Sequence, residues 1–114
     1  LLELRRGRKI RLLFATMADK EWQLMLGILA SFADEIVFTR VAMERSADPE
    51  LLAKSIPVQV SKRVIHNSKT ALAALLDTAQ PDDIVVVAGS LYLLGEIRPL
   101  LANASISGDA ISLT

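Results

Sequence analysis

The run Ile84-Val85-Val86-Val87-Ala88-Gly89-Ser90 decides the fold of this chain. Five apolar residues, three of them consecutive valines, follow one another without polar alternation. A strand of that kind is buried on both faces, which is the habit of a parallel sheet covered by helices on each side. Gly89 follows directly, where a residue without a Cβ permits positive φ or close approach by another backbone. Ser90 then stands at an N-cap position, ahead of a helix that starts at Leu91.

The same alternation recurs outward from this run. Pro81-Asp82-Asp83 is a turn, and before it Asn67 caps a helix to Ala79 with Ala71, Leu72, Leu75, Leu76 and Ala79 on one face. Val58 to Ile65 is extended, with a short strand expected near Arg63 to His66. Asp48-Pro49-Glu50 opens a helix that ends before Pro57; Asp48 caps it and Pro49 occupies the first helical position, where no N–H is needed. Glu35 to Thr39 reads as the second strand and Ile10 to Ala15 as the first. Between them lies a helix from Lys20 to Ala33, with Asp19 as its N-cap and Trp22, Met25, Leu26, Leu29 and Ala33 inward. Beyond Leu91, Pro99 should kink or restart the helix, because it removes the hydrogen bond to the Gly95 carbonyl. The tail from Asn103 either frays or adds a short edge strand around Ala110 to Leu113. Four strands alternating with three or four helices predict an α/β fold: a three-layer open sheet, mostly parallel, helices on both faces.

The chain has 114 residues, one domain's worth, and 52% of them are hydrophobic while only 4% are aromatic, so the core must be aliphatic. Thirteen basic residues balance thirteen acidic ones, which removes any general electrostatic reason to bind nucleic acid. The absence of cysteine excludes disulfides and thiolate metal sites. No apolar run approaches the roughly 18 residues of a membrane span. The opening Leu1-Leu2-Glu3-Leu4-Arg5-Arg6 puts apolar before basic, the reverse of a signal peptide. Without an initiator Met, the chain reads as a piece of a longer, cytoplasmic protein.

In an open parallel sheet, ligands bind outside the carboxyl ends of the strands. Three exits matter: Ala15 to Lys20, Thr39-Arg40 with the loop to Arg45, and Gly89 to Tyr92. The free N–H groups of the helix after Ser90 can meet a carboxylate or phosphate; spacing alone describes more simply a tight turn with a cap. Arg40 and Arg45 suit a carboxylate, or are two solvated loop arginines. Lys20 can reach a phosphate or simply face water. Arg5, Arg6, Arg8, Lys9 and Arg11 could touch an anionic partner, and read more simply as a solvated lead-in to the first strand. His66 reads as a strand-end histidine without a task, and no metal site is expected. There is no G-x-x-x-x-G-K-[ST] phosphate loop, no G-x-G-x-x-G and no G-x-S-x-G elbow.

Taken together, the exits resemble one family. Leu13-Phe14-Ala15-Thr16-Met17-Ala18-Asp19-Lys20-Glu21 resembles its strand plus "DKD" segment. Thr39-Arg40 followed by Arg45-Ser46-Ala47 resembles its "T-R-P…P-R-A" segment, with Met43-Glu44 where proline usually precedes arginine. Asp83 to Arg98 resembles its "D-x-x-V-V-x-G-S-L-Y-L-x-G-E-x-R" signature. The family is the C-terminal domain of folylpolyglutamate synthase/dihydrofolate synthase, within the Mur ligase superfamily.

The resemblance implies a Rossmann-like domain, residues 1–114, cut from a two-domain ligase of folate biosynthesis and one-carbon metabolism. An N-terminal domain with a P-loop would hold ATP and Mg. A folate or dihydropteroate carboxylate would be phosphorylated, and the amine of L-glutamate would attack it. By the same resemblance Ser90, Arg45, Gly89, Tyr92, Thr39 and Arg40 belong to the substrate side, and Asp19 and Lys20 to the interdomain or phosphate side. The family's D-G-A-H-N-P segment is absent from this chain, so no catalytic residue is expected here and the 114 residues alone should be inactive. The alternative is a stand-alone, non-catalytic α/β binding module of similar fold.

Overall fold

The computed structural model describes residues 7–103 and 110–113, with side chains from residue 7 to residue 100. The chain runs through β1 (Ile10–Phe14), α1 (Gln23–Ala30), β2 (Glu35–Arg40), α2 (Pro49–Lys54), β3 (Ser61–Asn67), α3 (Ser68–Thr78), β4 (Ile84–Ala88), α4 (Leu91–Asn103) and β5 (Ala110–Leu113). The sheet has five strands in the order β3-β2-β1-β4-β5, and every pairing in it is parallel. The expected fold class holds, and Ala110–Leu113 takes the edge-strand alternative.

Alternation along the strands divides the core in two. Ile10, Leu12 and Phe14 of β1, with Ile36 and Phe38 of β2 and Val86 of β4, pack against Trp22 and α1 and against Leu52 of α2. Leu13, Val37, Val85 and Val87 point the other way, onto Leu72 and Leu75 of α3 and Leu93 and Ile97 of α4. Helices thus cover both faces, and all five residues of β4 are buried. With few aromatics to spend, the core places two together: Phe14 and Phe38 meet edge-on, ring centroids 6.2 Å apart.

Three predicted caps form, one of them Ser90 at the start of α4. Asp48 accepts from the Glu50 N–H at 3.0 Å, and Asn67 accepts from the Thr70 N–H at 3.0 Å. The fourth does not. α1 begins at Gln23, and Trp22 stands at its N-cap without a side-chain bond. Residues before it turn instead, with the Lys20 N–H donating to the Met17 carbonyl and the Trp22 N–H to the Lys20 carbonyl. Asp19 is drawn away by a charged partner, described below. α4 continues through Pro99 without a break, so the expected restart does not occur.

The basic lead-in is also more than a solvated stretch. Arg11 donates to Asp83 at 2.5 Å and to Glu35 at 2.9 Å, and Arg63 lies 3.2 Å from the same glutamate. Asp83 is nearly fully buried. Burial pushes its carboxyl up, but the Arg11 guanidinium and the Gln80 N–H, with the charges of Arg11 and Lys9, outweigh that and hold it below the ordinary value. The network ties β1, β2 and β3 together at the end opposite the three strand exits. Arg8 donates to the Asp82 carbonyl; Arg5 and Arg6 lie outside the described residues.

Candidate functional site

The three exits meet because the strand order places β1 between β2 and β4. Hydrogen bonds join the first two. The Ala18 N–H donates to the Arg45 carbonyl at 2.7 Å, and the Ala47 N–H to the Thr16 carbonyl at 2.8 Å, around a bridge between Met17 and Ser46. The third exit is joined by contact. Gly89 has φ +105°, and a Cβ there would lie 2.1 Å from the Ala15 carbonyl oxygen. The strand order reverses between β1 and β4, where doubly wound sheets open their crevice. Here the backbone of Gly89 packs closely against Ala15.

The expected site residues divide by exposure. Thr39, Gly89 and Ser90 are buried. The Thr39 hydroxyl donates to the His66 carbonyl at 3.3 Å, so it braces β2 against β3. Ser90 Oγ accepts from the N–H groups of Tyr92 and Leu93, which makes it the N-cap of α4. Asp19, Lys20, Arg40, Arg45 and Tyr92 are exposed. Arg45 donates to Asp19 at 2.6 Å, bringing together two residues expected on different sides of the site. Arg40 makes no such pair among the described residues.

Arg40 lines a groove of about 330 Å³ with Val41, Ala42, His66, Asn67, Ser68 and Glu96. It lies between the ends of β2 and β3 and the first turn of α3. His66 Nε2 lies 3.0 Å from the Glu50 carboxylate, an exposed contact between β3 and α2. Glu96 was legible only as one letter of the α4 signature. Its carboxylate accepts from the Ala42 N–H at 2.6 Å and from the Ser68 hydroxyl at 2.5 Å. A carboxylate two turns into a helix gives no local sign of such distant partners.

Among the described residues no three His, Asp or Glu side chains gather to hold a metal, and no helix is long and apolar enough to cross a membrane.

A doubly wound parallel sheet with helices on both faces and its loops gathered at the carboxyl edge is a Rossmann-like domain. Residues 1–91 match the model of a family described as Mur ligase, glutamate ligase domain, and the chain belongs to that family. It is homologous to the folylpolyglutamate synthases. Over 101 residues it is 33% identical to a Haloferax volcanii protein described as a probable bifunctional folylpolyglutamate synthase/dihydropteroate synthase, in a match covering 85% of this chain and 12% of that one. The fold is that of about a quarter of the bifunctional folylpolyglutamate synthase/dihydrofolate synthase of Yersinia pestis. With AMPPNP and Mn ion that protein gives a TM-score of 0.78 at 24% identity, over 90% of this chain and 24% of its own. Its ligand-free form gives 0.79 at the same identity and coverage. The chain therefore spans about an eighth of the curated relative and about a quarter of the solved structures.

Proposed function

We propose that this chain is the C-terminal domain of an ATP-dependent ligase that adds L-glutamate to a folate or dihydropteroate carboxylate, and that its task is to position the glutamate. The observation that carries this is the joining of three strand exits at one sheet edge, where Arg40 and Arg45 are exposed. Two arginines at the two ends of one loop suit the carboxylates of an acidic amino acid. The rest of the polypeptide would supply the P-loop, ATP and Mg, in a cytoplasmic enzyme of folate biosynthesis.

In the reaction the glutamate amine attacks the carbonyl carbon of an acyl phosphate, a C–N bond forms, and the C–O bond to phosphate breaks, so that phosphate leaves with the bridging oxygen. The amine must shed a proton in that step. This domain would hold the carboxylates so that the amine faces the activated carbonyl, which converts an encounter into an oriented approach. Closing over the site would also keep water from hydrolysing the acyl phosphate. Ser90 contributes by fixing the start of α4, and Tyr92 by its exposed place on the first turn. Asp19 and Lys20, at the β1 exit, would face the interdomain or phosphate side.

The test is glutamate addition by the full-length polypeptide. Ser90→Ala and Arg45→Ala should raise the glutamate KM or lower turnover; unchanged kinetics for both would discard these site residues. The 114-residue chain by itself should show no ATP-dependent glutamate addition, and any turnover would overturn that part of the reading.

A further inference from the structure

We infer that Glu96 is a positioning residue for this site, a role that rests on the ligase reading above and goes beyond the residues it names. Glu96 lies on α4, six positions after Ser90, and is half-buried. One carboxylate oxygen accepts from the Ala42 N–H at 2.6 Å. The other accepts from the Ser68 hydroxyl at 2.5 Å, and Ser68, itself buried, begins α3. One side chain therefore fastens the loop after β2 to two helices at once.

That loop needs fastening. Residues 41–45 belong to no strand or helix, yet they connect Arg40 to Arg45. On one side the loop is held to the β1 exit, through the Arg45 carbonyl and the Arg45–Asp19 pair. Within the loop, the Val41 N–H donates to the Ser46 hydroxyl at 3.1 Å and the Ser46 N–H to the Met43 carbonyl, so these bonds tie the loop to itself and to the β1 exit but not to α3 or α4. Glu96 holds it at Ala42, two residues from Arg40, and pulls toward α3 and α4. Both bonds are accepted by an ionised group, which makes them stronger than neutral ones. They also set one wall of the groove that Arg40 lines. Glu96 touches no reacting atom; it acts by fixing where the loop carries its arginines.

The experiment is steady-state kinetics of the full-length polypeptide carrying Glu96→Ala, Glu96→Gln or Ser68→Ala, with thermal melting of each. Glu96→Ala should raise the glutamate KM about tenfold, the scale of a lost charged hydrogen bond, and leave the ATP KM unchanged. Glu96→Gln should fall between, because the amide oxygen still accepts from Ala42 and the Ser68 hydroxyl can turn to accept from the amide. Ser68→Ala removes only one bond and should also be intermediate. A glutamate KM unchanged in Glu96→Ala overturns the role while the ligase reading stands. So does a parallel rise in every KM together with a lowered melting temperature, since that is loss of structure alone. Absence of glutamate addition by the unaltered enzyme overturns the ligase reading and this role with it.

Discussion

A methyl group on Gly89 would stand 2.1 Å from the carbonyl oxygen of Ala15. That oxygen belongs to backbone and cannot swing aside, and φ at Gly89 is +105°. Gly89→Ala therefore meets a clash and a backbone conformation that side chains rarely adopt. Strain and overpacking together should cost about 3 kcal/mol or more. Urea denaturation of the variant checks this, and a loss under about 1 kcal/mol would mean that the β1 and β4 exits can part easily.

Thr16 lies in the same junction. Its side chain is fully buried, and its hydroxyl has no hydrogen-bond partner among the described residues. An orphaned buried hydroxyl costs about 1–3 kcal/mol. Thr16→Val removes the polar atom while keeping the branched shape, so it should be neutral or stabilising. A clear loss of stability in the same denaturation assay would show that the hydroxyl is satisfied in solution.

At the opposite edge, stability should depend on acid. The Asp83 carboxyl sits below its ordinary value of 3.8 because Arg11 and the Gln80 N–H outweigh burial. A carboxyl depressed by folding stabilises above the unfolded pKa, and that contribution is lost as pH falls through the folded pKa. The loss should begin below about pH 4. Asp83→Asn should cost stability at pH 7 and flatten the decline between about pH 4 and pH 2. Melting temperatures of the two proteins across that range give the answer, and parallel curves would assign the acid sensitivity to other carboxylates.

How much of this was legible follows the range of each interaction. The unbroken apolar run at Ile84 to Ala88 revealed a doubly covered strand, and Asp48 and Asn67 revealed caps, because their partners lie two or three residues away. Asp19 has equally good N-cap chemistry, yet its partner is Arg45, 26 residues on. A charged partner across the exits won over a local N–H. Arg11 misled in the same way: its partners lie 24 and 72 residues away. β3 extends from Ser61 to Asn67, beyond the expected Arg63 to His66, because pairing with β2 holds residues whose half-exposed pattern says little by itself. In the site, the exits were legible from topology rules. The bracing by Thr39 and Glu96 was not, since both depend on which elements become neighbours.

Arg40 and Arg45 flank one loop and should nevertheless differ in the proposed ligase. Arg45 is held by Asp19 at 2.6 Å, with both side chains more than half exposed. Such a pair contributes under about 1 kcal/mol to stability, but it occupies the guanidinium that a substrate carboxylate would need. Arg40 is exposed and makes no ion pair among the described residues, so its guanidinium is available without first breaking one. In the full-length polypeptide, Arg40→Ala should raise the glutamate KM more than Arg45→Ala does. Asp19→Ala releases Arg45 and should lower that KM or leave it unchanged, with little effect on melting. Added salt should narrow the difference between Asp19→Ala and the unaltered enzyme, because screening already weakens an exposed pair. A larger KM increase for Arg45→Ala than for Arg40→Ala would show that the ligand displaces Asp19, and would move the carboxylate contact to the β1 exit.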